Sequence, residues 1–322
     1  MKKTLAISTL LIILPLWNQV SADNGQSAGM QFLLMGPSAH NMGISDGHTA
    51  SLTGSSAIYI NPALLSMEEQ SSATASFMYW PATDTRNSFA GAVFHRDNDA
   101  FGIALLSSLV DDIPFRSGPT PDPDGLFAIR YFSLAASYSR SAGPLSFGLT
   151  GMYLYEQFFQ HNASGYGLNA GAALNLLENR MRLGASLRNI GAMDDLAETS
   201  TNLPTLVSVG TDIRLLQFST TAIEDEIPLL LSLVADYNVP LNEVDVADET
   251  IDPQSDGYAN IGLELNISEI IDLRAGYRTG DTQRRFGFGA GLLVNEFYFN
   301  YAFMPFQTGF GTAHAVSLQY YF

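Results

Sequence analysis

In the stretch Ala315-Val316-Ser317-Leu318-Gln319-Tyr320-Tyr321-Phe322, bulky apolar residues alternate with small or polar ones. A β-strand turns successive side chains to opposite faces, so such a segment meets an apolar medium on one side only. The same period of two recurs upstream. Within 258–266, Ala259, Ile261, Leu263 and Leu265 oppose Asn260, Gly262 and Glu264. Within 272–278, Leu273, Ala275 and Tyr277 oppose Asp272, Arg274, Gly276 and Arg278. Phe286, Phe288, Ala290 and Leu292 alternate with glycines, and Phe297, Phe299, Tyr301 and Phe303 with Tyr298, Asn300 and Ala302. Alternation alone fits a water-soluble barrel or sandwich as well as a membrane one.

The first residues decide between them. Lys2 and Lys3, an apolar run over 5–16 and Val20-Ser21-Ala22 read as a secretory signal peptide over 1–22. That run is too short to span a bilayer, and no later segment approaches the ~20 apolar residues a helix would need. Membrane embedding therefore falls to strands, because only helices and closed barrels satisfy their backbones in lipid. The expected fold is all-β: an outer-membrane antiparallel β-barrel, with Leu318, Tyr320 and Phe322 as the C-terminal signal read by the assembly machinery.

Composition excludes several functions. Fifteen basic against thirty-two acidic residues, a net charge of −17, make nucleic acid a poor partner. With no cysteine there can be no disulfide and no thiolate ligand. Of the five histidines only His161 has a notable neighbour, Ser164, and no glycine elbow or orienting acid completes a catalytic set. No enzyme, cofactor or metal site is expected. The acidic stretches 122–125 and 243–256 do not match a calcium-binding loop and read as solvated outer loops.

The chain divides into a segment over 23–70 without strand alternation and a strand-rich region over 71–322. The latter holds about fourteen segments near the ~10 residues of a tilted spanning strand. Short connections near 97–99, 141–143, 178–180, 267–269 and 295–296 alternate with long ones at 111–125, 191–202 and 240–257. Short turns on one rim and long loops on the other are the pattern of such barrels. The connection 217–226 breaks it, being too long for the short-turn rim. A barrel of this size encloses more space than inward side chains fill, so 23–70 is expected to plug the lumen. The inward residues read as mostly small and polar. Among them Arg182, Arg188, Asp236, Glu264, Asp272, Arg274 and Arg278 carry both signs and are expected to pair with one another or with the plug.

Within the plug, Asn61-Pro62-Ala63 suits a helix start, with Asn as the cap and Pro at the first helical position. The run Gln31-Phe32-Leu33-Leu34-Met35-Gly36, then Ser38-Ala39, Met42-Gly43 and 56–65 around Asn61-Pro62-Ala63, resembles the N-terminal signature of the PorV/PorQ family. The likeness continues at Leu187-Arg188-Asn189-Ile190-Gly191, Leu203-Pro204, Leu273-Arg274-Ala275-Gly276-Tyr277-Arg278 and the closing strand. His40 and Ile44 depart from it, where the family usually has Arg and Gly. The resemblance implies a FadL-like barrel of fourteen strands with an N-terminal plug.

Two functions stay open. The resemblance implies a protein-binding scaffold or shuttle in type IX secretion, with exported proteins or secretion components as partners. The alternative is FadL-like passage of hydrophobic small molecules, which needs an apolar lumenal pocket near Asn61-Pro62-Ala63 and a break in the wall. The polar reading of the inward residues leans toward the scaffold. Either way, outer-membrane lipid surrounds the barrel.

Overall fold

The computed structural model describes residues 29–51, 54–119, 121–196, 201–222, 225–241, 257–281, 283–307, 309 and 311–322. The expected signal peptide over 1–22, and the acidic stretch expected as a loop over 243–256, lie outside the described residues. Fourteen strands are described: β1 (Ser72–Trp80), β2 (Thr85–Arg96), β3 (Asp99–Phe115), β4 (Gly125–Ala142), β5 (Leu145–Phe158), β6 (His161–Leu176) and β7 (Met181–Met193), then β8 (Leu206–Ala222), β9 (Asp225–Pro240), β10 (Tyr258–Ile267), β11 (Ile271–Arg278), β12 (Phe286–Val294), β13 (Phe297–Pro305) and β14 (Thr312–Tyr321). Each pairs antiparallel with its sequence neighbours. The ring closes where β14 meets β1, with Ser72 opposite Tyr321 and Tyr79 opposite His314. Closure leaves the wall no free edge.

The alternation places the residues as their chemistry requires. Ile261, Leu263, Leu273, Tyr277, Phe288, Phe299, Tyr301, Val316, Leu318 and Tyr320 are exposed on the outer face, while Asn260, Arg274, Arg278, Asn300, Ser317 and Gln319 are buried inside. A continuous outer band of large apolar side chains has lipid as its medium. Rings pack along it: Phe288 stacks on Phe303 at 5.3 Å and Tyr320 on Phe322 at 5.8 Å, and Phe297 lies tilted on Tyr320 at 5.0 Å.

Two connections differ from the sequence expectation. The expected loop over 111–125 begins later, because β3 runs to Phe115 and pairs with β4 beyond a bulge between Val110 and Ile113. Phe115, Phe127, Phe158 and Phe159 cluster there at the long-loop rim, with ring centroids 5.1 to 5.6 Å apart. The expected loop over 217–226 is no loop. β8 and β9 stay paired through it to Ala222 opposite Asp225. Its Ser, Thr, Asp and Glu content reads as a turn, but cross-strand pairing overrides that propensity. Neither outer neighbour follows: β7 leaves β8 at Met181–Ile213 and β10 leaves β9 at Ile267–Leu229. The tip is thus a two-stranded ribbon projecting from the short-turn rim.

Residues 29–51 and 54–67 form short helical turns and bends rather than strand. They include α1 (Ala39–Gly43), α2 (Ala57–Ile60) and a 3-10 turn over Pro62–Met67. Ser38 and Asn41 cap α1 reciprocally. Asn61 caps the 3-10 turn, its side chain accepting from the Ala63 N–H at 3.2 Å, with Pro62 at the first helical position. No helix of the described residues is long and apolar enough to cross a membrane.

Candidate functional site: the barrel interior

The N-terminal segment touches inward-facing side chains around the ring, and its two ends do so with different chemistry. On the β2–β6 side the contact is apolar. Ile58, Tyr59, Leu64 and Leu65 are buried among Phe89, Ala104, Leu106, Ala135, Met152 and Leu154. Met30, Phe32 and Leu33 extend this cluster, with Phe32 stacked on Tyr131 at 5.4 Å and Tyr59 edge-on to Phe89 at 6.2 Å. Burying each such aliphatic side chain contributes about 1.5–3 kcal/mol. This corrects the expectation of a small, polar lumen. In β3, Leu105 points out and Leu106 in, so both faces are apolar and period two could not show which one is lumenal.

Wall hydroxyls take up the backbone groups that a 3-10 turn leaves free. Ser139 and Ser146 donate to the Ala63 carbonyl at 3.2 and 2.8 Å, and Thr150 to that of Ile58 at 2.9 Å. The Tyr59 hydroxyl donates to the Ser133 carbonyl at 3.0 Å. Asn61 donates to the carbonyls of Thr49 (2.7 Å) and Ala172 (3.3 Å). The fit is close: a Cβ at Gly148 would run into the Pro62–Ala63 backbone, and one at Gly171 into the Asn61 side chain. Asn61-Pro62-Ala63 therefore sits tightly against β5 and β6.

On the β9–β13 side the contact is polar. Asp236 accepts from the Thr49 N–H at 2.9 Å, and Asn260 donates to the Ser45 carbonyl. Glu264 meets His40 at 3.1 Å and Arg274 at 3.4 Å. Arg274 also reaches Asp272 at 3.5 Å, Asn300 at 2.9 Å and the Tyr298 hydroxyl. Arg278 pairs with Asp46 at 3.8 Å and lies 3.9 Å over the Tyr258 ring. Arg182 donates to the Ala50 carbonyl at 3.2 Å and faces Asp212 at 3.7 Å. Arg188 is buried, and its Nε has no hydrogen-bond partner among the described residues. Six of the seven expected lumenal charges thus meet a partner. Leu318, Tyr320 and Phe322 face outward, remote from this network, and the Phe322 N–H donates to the Ser71 carbonyl at 2.9 Å.

Sequence reasoning missed two features. His40 and His48 stand edge to face, 4.8 Å apart, beside Glu264. Burial and the nearby Arg274 hold His40 below its usual pKa, and burial, then His40, pushes His48 down to about 3. The only hint in the sequence was that His40 stands where the resembled family has Arg. The second feature is Glu68, at the exit of the 3-10 turn. Burial pushes its carboxyl up to about 7, although the Gly54 N–H donates to it at 2.5 Å. His161 and Ser164, paired in the sequence reading, part company: Ser164 donates to Asp194 at 2.9 Å.

The interior opens at the short-turn rim. A cavity of about 940 Å³ is lined by His40, Glu68, Arg182, Arg214, Tyr298 and Tyr321. A second, of about 280 Å³, is lined by Arg182, Asp212, Arg214, Glu264 and Asp272. Higher up, the wall is irregular. β6 and β7 slip register between Leu168 and Ala170, where Asn189 adopts a positive φ of 59° and its N–H bonds the Asn169 side chain at 2.7 Å. The β7–β8 ladder ends at Arg188–Leu206, while β7 continues along β6 to Met193.

No protein-family model and no curated protein matches the sequence. Solved structures do match the fold. The Ralstonia pickettii toluene transporter TbuX is similar over 89% of this chain and 98% of its own, with a TM-score of 0.61 at 13% identity. The Pseudomonas putida toluene transporter TodX gives 0.59 at 13% identity over 89% and 98%. A Pseudomonas aeruginosa FadL homologue gives 0.54 at 12% over 88% and 98%. At such identity what is shared is the fold, a closed antiparallel barrel of fourteen strands.

Proposed function

We propose that the protein is an outer-membrane channel for small hydrophobic molecules, with residues 29–67 as the plug they pass. The observation that carries this reading is the apolar half of the interior. The packed aromatic and aliphatic contact of Phe32, Tyr59, Leu64, Phe89 and Tyr131 would give an uncharged ligand a desolvated surface once the segment shifts. Its support from comparison is that chains of this fold include toluene transporters. The interrupted β6–β7–β8 wall beside Asn189 is the candidate side exit. No chemical step is part of this reading.

The test is uptake of radiolabelled toluene by cells that lack a hydrocarbon channel of their own. Cells displaying the folded barrel should take it up several-fold faster. Unchanged uptake with the barrel present in the outer membrane would overturn the proposal.

A second reading, the PorV/PorQ-type scaffold in protein secretion, is favoured by one observation. The plug is packed so closely on Gly148 and Gly171 that not even a methyl group fits between them. Affinity capture from native membranes distinguishes the two, since a scaffold brings down secretion components or exported proteins and a channel does not.

A further inference from the structure

We propose that His40, His48 and Glu264 bind a divalent transition-metal ion, with zinc the best match, and that the ion ties the plug to β10. One ring nitrogen from each histidine and one carboxylate oxygen of Glu264 lie within 4.8 Å of one another. The two histidines come from the plug, one in α1 and one just after it, and Glu264 from the wall. The proposal stands independently of what the channel carries.

The donor set selects the ion. Two imidazoles and a carboxylate suit zinc and its first-row neighbours, whereas calcium and magnesium prefer oxygen alone. The second observation is the state of His48. Its ring is fully buried, and Nε2 lies 3.1 Å from the His40 carbonyl. A carbonyl only accepts, so Nε2 carries the proton and Nδ1 the lone pair. That Nδ1 is buried with no partner among the described residues. A backbone carbonyl orienting one imidazole nitrogen while the other is left as a donor is the usual support of a metal-bound histidine.

Geometry and charge permit the ion. Ligand atoms around tetrahedral zinc, at bonds of about 2.0–2.1 Å, stand roughly 3.3 Å apart. His40 Nε2 and Glu264 Oε1 are already at 3.1 Å, so only the wider pairs, within 4.8 Å, need to close, by up to about 1.5 Å. Arg274 is the competitor for Glu264, at 3.4 Å. It has other partners in Asp272, Asn300 and Tyr298, so it can yield the carboxylate without being stranded. The fourth position is left to water. His40 lines the larger cavity at the short-turn rim and Glu264 the smaller one, which gives both ion and water a way in.

The experiment uses the full chain in detergent, stripped with chelator, dialysed against zinc or cobalt(II) and passed through gel filtration. About one zinc per chain should be retained, and cobalt should give the intense visible absorption of a tetrahedral site. The double variant His40→Gln/His48→Gln should lose the cobalt band and bind zinc at least about tenfold more weakly. Wild-type protein that retains no zinc overturns the proposal, as does a folded double variant that binds as the wild type does. Should the double variant fail to fold, X-ray absorption of the zinc-loaded wild type decides. Imidazole scattering in the shell supports the site, and an all-oxygen shell refutes it.

Discussion

The two halves of the interior hold the same segment by opposite means. Against β2–β6 it is seated by aliphatic and aromatic packing, with wall serines and Thr150 bonding its backbone carbonyls. Against β9–β13 it is held by ion pairs and side-chain amides, through Asp236, Asn260, Glu264 and Arg278. Packing is non-directional and tolerates sliding, whereas buried charge networks are costly to leave half-made. On the proposed channel reading, the apolar half is where the segment would shift to admit an uncharged ligand, and the polar half is where its register would be held.

Three substitutions would break or sharpen that contrast. The largest effect is expected from Leu64→Ala, which empties a fully buried site in the apolar half. It should cost about 2–5 kcal/mol in urea unfolding from lipid vesicles, and toluene uptake should rise as the plug loosens. Next is Gly276→Ala in the polar half, where the added Cβ would run into the Ile44 backbone. Overpacking there should cost about 1–3 kcal/mol without raising uptake. If the halves act separately, the double variant should lose the sum of the two; a shortfall well beyond about 0.5 kcal/mol would show that they are coupled.

The smallest effect belongs to Glu68→Gln. The Glu68 carboxyl titrates near 4.5 in the unfolded chain and at about 7 when folded. Between those values the folded chain keeps a proton that the unfolded chain releases. Stability should therefore be highest below pH 4.5 and fall as pH rises through 7. The glutamine variant should flatten that slope, gaining on the order of 1 kcal/mol at pH 8 and nothing at pH 4.

Much of this was legible in the chain. The closing strands declare their lumenal and lipid faces because glycine or polar residues alternate with large apolar ones there, and the inward charges of β10 and β11 could be named one by one. Asn61-Pro62-Ala63 announced its cap. Three things stayed hidden, each for a physical reason. In β3 both faces are apolar, so the apolar lining left no periodic trace. The β8–β9 ribbon is built from residues of turn-like composition, held as strand by their partners across the ladder. His40 and Glu264 are 224 positions apart, and only ring closure makes them neighbours.

The seam between β1 and β14 carries a consequence for assembly. Every other pairing joins strands consecutive in sequence, but this one unites the two ends of the sheet. Until β14 arrives, β1 shows lipid or water a row of unmatched amides from Ser72 to Tyr79. A polypeptide cut short within that last strand would keep two raw margins and an uncovered interior. Such a species is the one that quality-control proteases should find first.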